Sequence, residues 1–400
     1  MKVLTIRTII ALFIVGIGIG VAQAWFAHSP TAAPAADNPT ESDQVQTTGT
    51  ATLEMVFVLD TTGSMGGLLE GAKQRIWGIV NEVMQSTSHP SVRAGLVAYR
   101  DRGDAYVTKV LPLTTDLDQV YSTLMSYRAE GGGDGPENVR RALADGVHNA
   151  GWSQRTPGLA QILFLVGDAP PHEDYQDEPS TATTTAEAVK AGMIVNTIQC
   201  GNMPGTQNVW QAIAQRGEGQ YFAIAQDGGV QAIATPYDKE LSELGARIGS
   251  TFVAYGGGEG AAGVSYRAEK QAGQASMEAQ LVANAPAEAR ADRAKNKAMN
   301  SEAYAGDLLT SLENGSVKLD SVKDADLPDD LKKLEPAARQ KEIDKRLAER
   351  KKLREEILKL SKLRDEFISE AQKKQSRKVN SFDSAVAESL KAQLNRKGIK

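Results

Sequence analysis

The sequence predicts an α/β fold: a doubly wound, mostly parallel six-stranded sheet, followed by a mainly α-helical, coiled-coil-like tail. Three observations carry this. Short runs rich in Val, Ile, Leu and Phe recur through the first part of the chain, as strands buried on both faces require. Amphipathic stretches separate them, and such alternation implies helices covering both faces of the sheet. Beyond residue 260 the apolar runs vanish and Ala, Glu, Lys and Arg dominate.

The elements follow in order. Leu53–Leu59 is a strand that stops at Asp60, and Met65, Leu68, Leu69, Ala72, Ile76, Val80 and Val83 then repeat at helical spacing. Val92–Tyr99 and Tyr106–Leu113 are strands. The short link through Arg100 and Asp104 suits a hairpin, so the third strand is expected to run antiparallel. Leu117–Tyr127 reads as helix, and Pro136 marks a helix start ahead of Val139, Ala142, Leu143 and Val147. Ile162–Val166 is a strand ending in Gly167-Asp168. Helix at Ala182–Ala191, strand at Met193–Cys200, helix at Val209–Gln215, strand at Tyr221–Ala225 and helix at Tyr237–Ile248 complete the domain. In the tail, Leu353, Ile357, Leu360, Phe367 and Ala371 step by three, four and seven, a pattern open to self-association. Arg364 interrupts it.

Charge is unevenly distributed over the 400 residues. The net is −5, yet residues 331–378 hold 17 Lys+Arg against 9 Asp+Glu. An acidic body with a basic helical rod is expected, and the modest net charge argues against nucleic-acid binding. The single cysteine, Cys200, cannot form an internal disulfide and ends an apolar run, as a buried strand residue does. The four histidines have no metal-binding spacing.

Lys2 and Arg7, the apolar run Thr8–Ala22 and the small-residue site Ala22-Gln23-Ala24 follow the layout of a secretory signal. The expected order is a signal peptide or N-terminal membrane anchor over 1–24, a flexible linker over 25–50, the α/β domain over 51–255, a Gly-rich linker over 256–265 and the helical tail over 266–400. The expected location is exported, periplasmic or extracellular, anchored to the membrane where the N-terminal segment is retained.

The chemistry gathers at strand ends. Asp60, Thr62 and Ser64 stand at alternate positions, so in an extended loop their oxygens point one way and suit a hard cation. Asp168 ends a second strand, where open α/β sheets place ligands. Asp60-Thr61-Thr62-Gly63-Ser64 resembles the metal-ion-dependent adhesion site of von Willebrand factor A domains. Gly131-Gly132-Gly133-Asp134-Gly135-Pro136-Glu137 resembles the second metal loop of bacterial members, and Phe164–Pro171 the third. The resemblance, to a bacterial exported member of this family, covers Thr50 to Gly256. It implies that Asp60, Thr62, Ser64 and Asp168 hold a divalent cation, Mg²⁺ first, Ca²⁺ or Mn²⁺ otherwise. Asp134 is the nearest candidate for loop two, where many members place Thr. It also implies a protein partner whose acidic side chain completes the metal shell. Glu137 reads as a first-turn dipole partner.

Helix capping is the competing explanation for Asp60 and Ser64, but it does not call for an acidic loop elsewhere. A hydrolase built on Ser64, His172 and Asp168 lacks the Gly-x-Ser-x-Gly elbow, and His172 reads as a rim residue. Arg102-Gly103-Asp104 reads as a charged turn. The expected function is thus binding, not catalysis. The alternative is an envelope scaffold acting through its basic tail, with a structural metal.

Overall fold

A computed structural model describes residues 52–84, 90–224, 233–300, 304, 306–374 and 381–399. The expected signal segment and the linker to residue 50 lie outside the described residues. Among the described residues no helix is long and apolar enough to cross a membrane.

The strands are β1 (Thr52–Asp60), β2 (Ser91–Tyr99), β3 (Thr108–Thr114), β4 (Leu159–Gly167), β5 (Ile194–Cys200) and β6 (Glu218–Ile224). They form one sheet in the order β3-β2-β1-β4-β5-β6. The pairings are parallel except β2 with β3, which is antiparallel as the short link requires. The chain fills one half of the sheet outward from β1, then restarts at β4 beside it. The switch point therefore lies between β1 and β4, and in-register pairing of Leu59 with Val166 brings Asp60 alongside Gly167. This is where such sheets bind ligands.

Period-two alternation sorts β1 between two cores. Leu53, Met55, Phe57 and Leu59 join one, while Val56 and Val58 join the other. The first core takes α1 (Leu69–Met84) and α2 (Leu117–Ser126), and the second takes α3 (Val139–His148), α4 (Thr181–Ala191) and α5 (Thr206–Arg216). Pro136 does not open α3. Asn138 caps it instead, its side chain accepting from Arg141 N at 3.1 Å. Asn138→Ala is expected to cost about 1 kcal/mol, read as a lower urea midpoint at unchanged slope.

The remaining helices are α6 (Asp238–Ser250), α7 (Gly260–Asn284), α8 (Ala287–Met299), α9 (Leu308–Glu313), α10 (Asp329–Lys332), α11 (Pro336–Lys374) and α12 (Ser381–Arg396). The rod expected from the sequence is corrected here, because α11 lies along α6 and α8 instead of standing free. Leu353 and Ile357 bury themselves among Leu241, Leu244, Ala291 and Ala294. Gly245 permits the close approach: a Cβ there would lie 2.8 Å from the Ala294 Cβ. Arg364, the interruption in the apolar pattern, is buried and reaches Asp238 at 2.6 Å and Asp292 at 2.7 Å. The glycines before α7 are also held: the amides of Gly256 and Gly258 donate to Asp326 O and Oδ1 at 2.8 and 2.7 Å. Finally, α12 returns to the sheet. Its Val386, Leu390 and Leu394 enter the first core, and Gln393 exchanges hydrogen bonds with Asn196 of β5 at 3.1 and 2.8 Å.

Candidate functional site

Asp60 is fully buried at the end of β1. Its Oδ1 accepts from the Thr62 amide at 2.9 Å and the Thr62 hydroxyl at 2.7 Å. The Thr62 hydroxyl lies 3.1 Å from the Ser64 hydroxyl, which donates to Asp168 Oδ1 at 3.0 Å. Four of the five residues singled out in the sequence thus form one chain of oxygens. Thr61, between them, turns the other way and bonds Tyr99 O and the Tyr106 hydroxyl at 2.9 and 2.7 Å. Thr62 precedes a short 3₁₀ turn, Gly63–Gly67, without capping it through its side chain. These side chains therefore serve each other and not the helix end.

Loop two is held against loop one by main-chain bonds. Gly63 N donates to Gly131 O at 2.9 Å, and Glu130 N to Thr61 O at 3.0 Å. Gly63 has no room for a side chain, since a Cβ would sit 2.8 Å from Gly131 O. Loop three is fixed by the Thr206 hydroxyl donating to Asp168 O at 3.0 Å.

Asp134 departs from the expectation. Its carboxylate is exposed and turned to His172, 3.5 Å away. The acid that loop two brings to the site is Glu137, buried to 2% exposure. A Cβ on Gly132 would meet Glu137 Oε1 at 2.9 Å and Thr62 Cβ at 3.3 Å, which places Glu137 beside Thr62. Two carboxylate oxygens there, Asp60 Oδ2 and Glu137 Oε2, are buried without a hydrogen-bond partner. Burial, then the nearby Asp168 carboxylate, pushes Asp60 up to about 7. Burial, then Asp60 and Asp101, pushes Glu137 up to about 9, although the Thr62 hydroxyl opposes it. Burial raises Asp168 as well, against the Ser64 hydrogen bond.

Ser64 bonds Asp168, and the His172 ring is turned to Asp174, Asp101 and Asp134. The Ser64–His172 pair that a hydrolase would need is not formed. Cys200 is fully buried on its strand, and burial holds its thiol well above the usual range.

Residues 54–236 match the family model described as von Willebrand factor A domain. The α/β part of this chain is a von Willebrand factor A domain. The mouse von Willebrand factor A domain-containing protein 7 is 29% identical over 195 residues, covering 49% of this chain and 20% of that protein. A putative ariadne-like RING finger protein of Acanthamoeba polyphaga mimivirus is 25% identical over 162 residues, covering 40% of this chain and 15% of its own length. The chain thus spans a fifth or less of these curated relatives. Among solved structures, the SpRpn10 VWA domain is 15% identical with a TM-score of 0.34, covering 44% of this chain and 89% of that one. In this vWA domain Asp60, Thr62, Ser64 and Asp168 cluster where β1 and β4 end, with Glu137 beside Thr62 from loop two. Glu137 was legible in principle, because it is the one loop-two acid directly before the helix cap Asn138.

Proposed function

We propose that this vWA domain binds a protein partner through a divalent cation held by Asp60, Thr62, Ser64 and Asp168, with Mg²⁺ the foremost candidate. vWA domains generally mediate protein–protein interactions, and the finer reading rests on one observation. Asp60 Oδ2 is buried at the switch point with no hydrogen-bond partner. An unpaired buried carboxylate oxygen is costly, and a second, on Glu137, lies nearby. The donors are all hard oxygens, carboxylate and hydroxyl, which fit a hard cation. When bound, such an ion supplies an open position that favours an anionic oxygen, such as a partner's Asp or Glu.

The side chains have distinct tasks. Asp60 and Asp168 bring the charge. Thr62 and Ser64 orient both carboxylates through the bonds described above. Thr61 and Gly63 pin the loop through their bonds to Tyr99, Tyr106 and Gly131. The role is binding and not catalysis. We place the protein outside the cytoplasm on the strength of the Lys2–Ala24 segment.

The test is retention of a partner by immobilised full-length protein from an extract of the source cells. Retention in Mg²⁺ should be lost with chelator and lost with Asp60→Ala. A partner held equally well in both cases would overturn this reading in favour of contact through the helices after residue 260.

A further inference from the structure

Three side chains from three loops meet beside this site. Asp101 follows β2, Asp134 belongs to loop two and His172 to loop three. One ligand atom from each lies within 4.8 Å of the others. His172 Nε2 is 3.4 Å from Asp101 Oδ2 and 3.5 Å from Asp134 Oδ1. Two ligand atoms each about 2.0–2.1 Å from a tetrahedral ion stand about 3.4 Å apart.

The histidine itself points to a ligand. His172 is 7% exposed, and its Nε2 is buried with no hydrogen-bond partner. Nε2 faces the Asp101 and Asp134 carboxylates, so a positive charge is favoured between them, and a bound cation would supply it. The opposite nitrogen, Nδ1, is bonded to Asp174 Oδ1 at 2.8 Å. A carboxylate on the far nitrogen fixes the tautomer and turns the Nε2 lone pair inward, the arrangement of metal-bound imidazoles. Asp101 is oriented in the same manner. The Tyr175 hydroxyl donates to both its oxygens at 3.0 and 2.9 Å. The Tyr175 ring also stacks on His172, centroids 4.2 Å apart and 8° from parallel.

The loops are braced against each other without any ion. Glu137 N donates to Pro170 O at 2.9 Å and His172 N to Glu137 O at 3.1 Å, joining loops two and three. Asp104 Oδ2 accepts from Asp101 N at 3.1 Å and from Gly132 N at 2.9 Å, joining the turn after β2 to loop two.

We infer that Asp101, Asp134 and His172 form a second divalent-metal site, separate from the Asp60 cluster and selective for Zn²⁺ over Mg²⁺. Two carboxylates and a neutral imidazole balance a divalent charge. The imidazole favours Zn²⁺, whereas Mg²⁺ prefers oxygens alone. Three protein ligands leave a fourth position, on the exposed side of Asp134, for water or an incoming group. The inference stands whether or not the Asp60 site binds a partner.

The test uses chelator-stripped full-length protein titrated with Zn²⁺ by calorimetry at saturating Mg²⁺, with Co²⁺ absorption as a second readout. One Zn²⁺ site is expected. His172→Ala should abolish it and the imidazole-dependent Co²⁺ spectrum, with Mg²⁺ binding kept. Asp174→Ala should weaken Zn²⁺ about 10–100-fold. Asp60→Ala should lose Mg²⁺ and keep Zn²⁺. Asp134→Asn alters an exposed side chain and decides the matter if His172→Ala fails to fold. No Zn²⁺ uptake by the wild type, wild-type Zn²⁺ affinity in both His172→Ala and Asp134→Asn, or loss of Zn²⁺ with Asp60→Ala alone would each overturn it.

Discussion

Arg293→Ala is expected to destabilise the protein by about 3–5 kcal/mol, the usual loss when one partner of a buried ion pair is removed. Arg293 lies on α8 at 3% exposure. Its Nε and Nη2 grip both Asp118 oxygens of α2 at 2.9 and 2.9 Å. Its Nη1 and Nη2 also reach Glu278 of α7 at 2.9 and 2.7 Å. Without it Asp118, 2% exposed, keeps only Lys297, at 2.6 Å. The network joins the vWA domain to the helices that follow it, so its loss should loosen both. Urea unfolding measures the effect, and a cycle with Asp118→Ala isolates the pair. A loss under about 1 kcal/mol would place this arginine among ordinary surface pairs and refute its joining role.

The second large effect is on metal linkage. Raising Mg²⁺ from zero to about a hundred times its dissociation constant should stabilise the full-length protein by about 2.7 kcal/mol. Asp60→Ala should show no such gain. Above about pH 7, where the Asp60 carboxyl is ionised, Asp60→Asn should melt higher than wild type in chelator, because it removes one charge from a buried group of acids with too few partners, and the gain should fade as the pH drops below 7. Thermal melts with and without chelator give both numbers. A wild-type melt indifferent to Mg²⁺ would remove the ground for a cation at this site.

Much of this was legible in the sequence. An apolar run closed by an acid is a strong signal, and β1-Asp60 and β4-Asp168 both carried it. The alternation of strands and helices then placed both acids at the switch point. Loop two was harder, because Asp134 and Glu137 differ in sequence only by a Gly-Pro step. Which one turns inward depends on Asn138 capping α3 and on Gly132 leaving space. The second cluster was invisible to spacing because its ligands come from three loops. Its signal was topological: Asp101 and His172 lie in the loops that follow β2 and β4, parallel strands that end on the same side. The tail was legible as helix but not as docked, since an apolar stripe reads the same whether it meets another chain or α6 and α8. Arg364 looked like a flaw in that stripe because its partners, Asp238 and Asp292, are distant in the chain.

The return of α12 to the sheet has a kinetic consequence. Asn196 and Gln393 are 197 positions apart, and their bond forms only when a very long loop closes. Such closure is slow compared with local pairing. The β5 end of the first core therefore stays open until residues near Gln393 have been made and folded back. During synthesis the molecule should pass through a stage in which β1, β2 and α1 are formed but this flank of the sheet is still wet. In pulsed hydrogen exchange the amides of β5 and β6 should gain protection last among the strands, and they should do so together with α12.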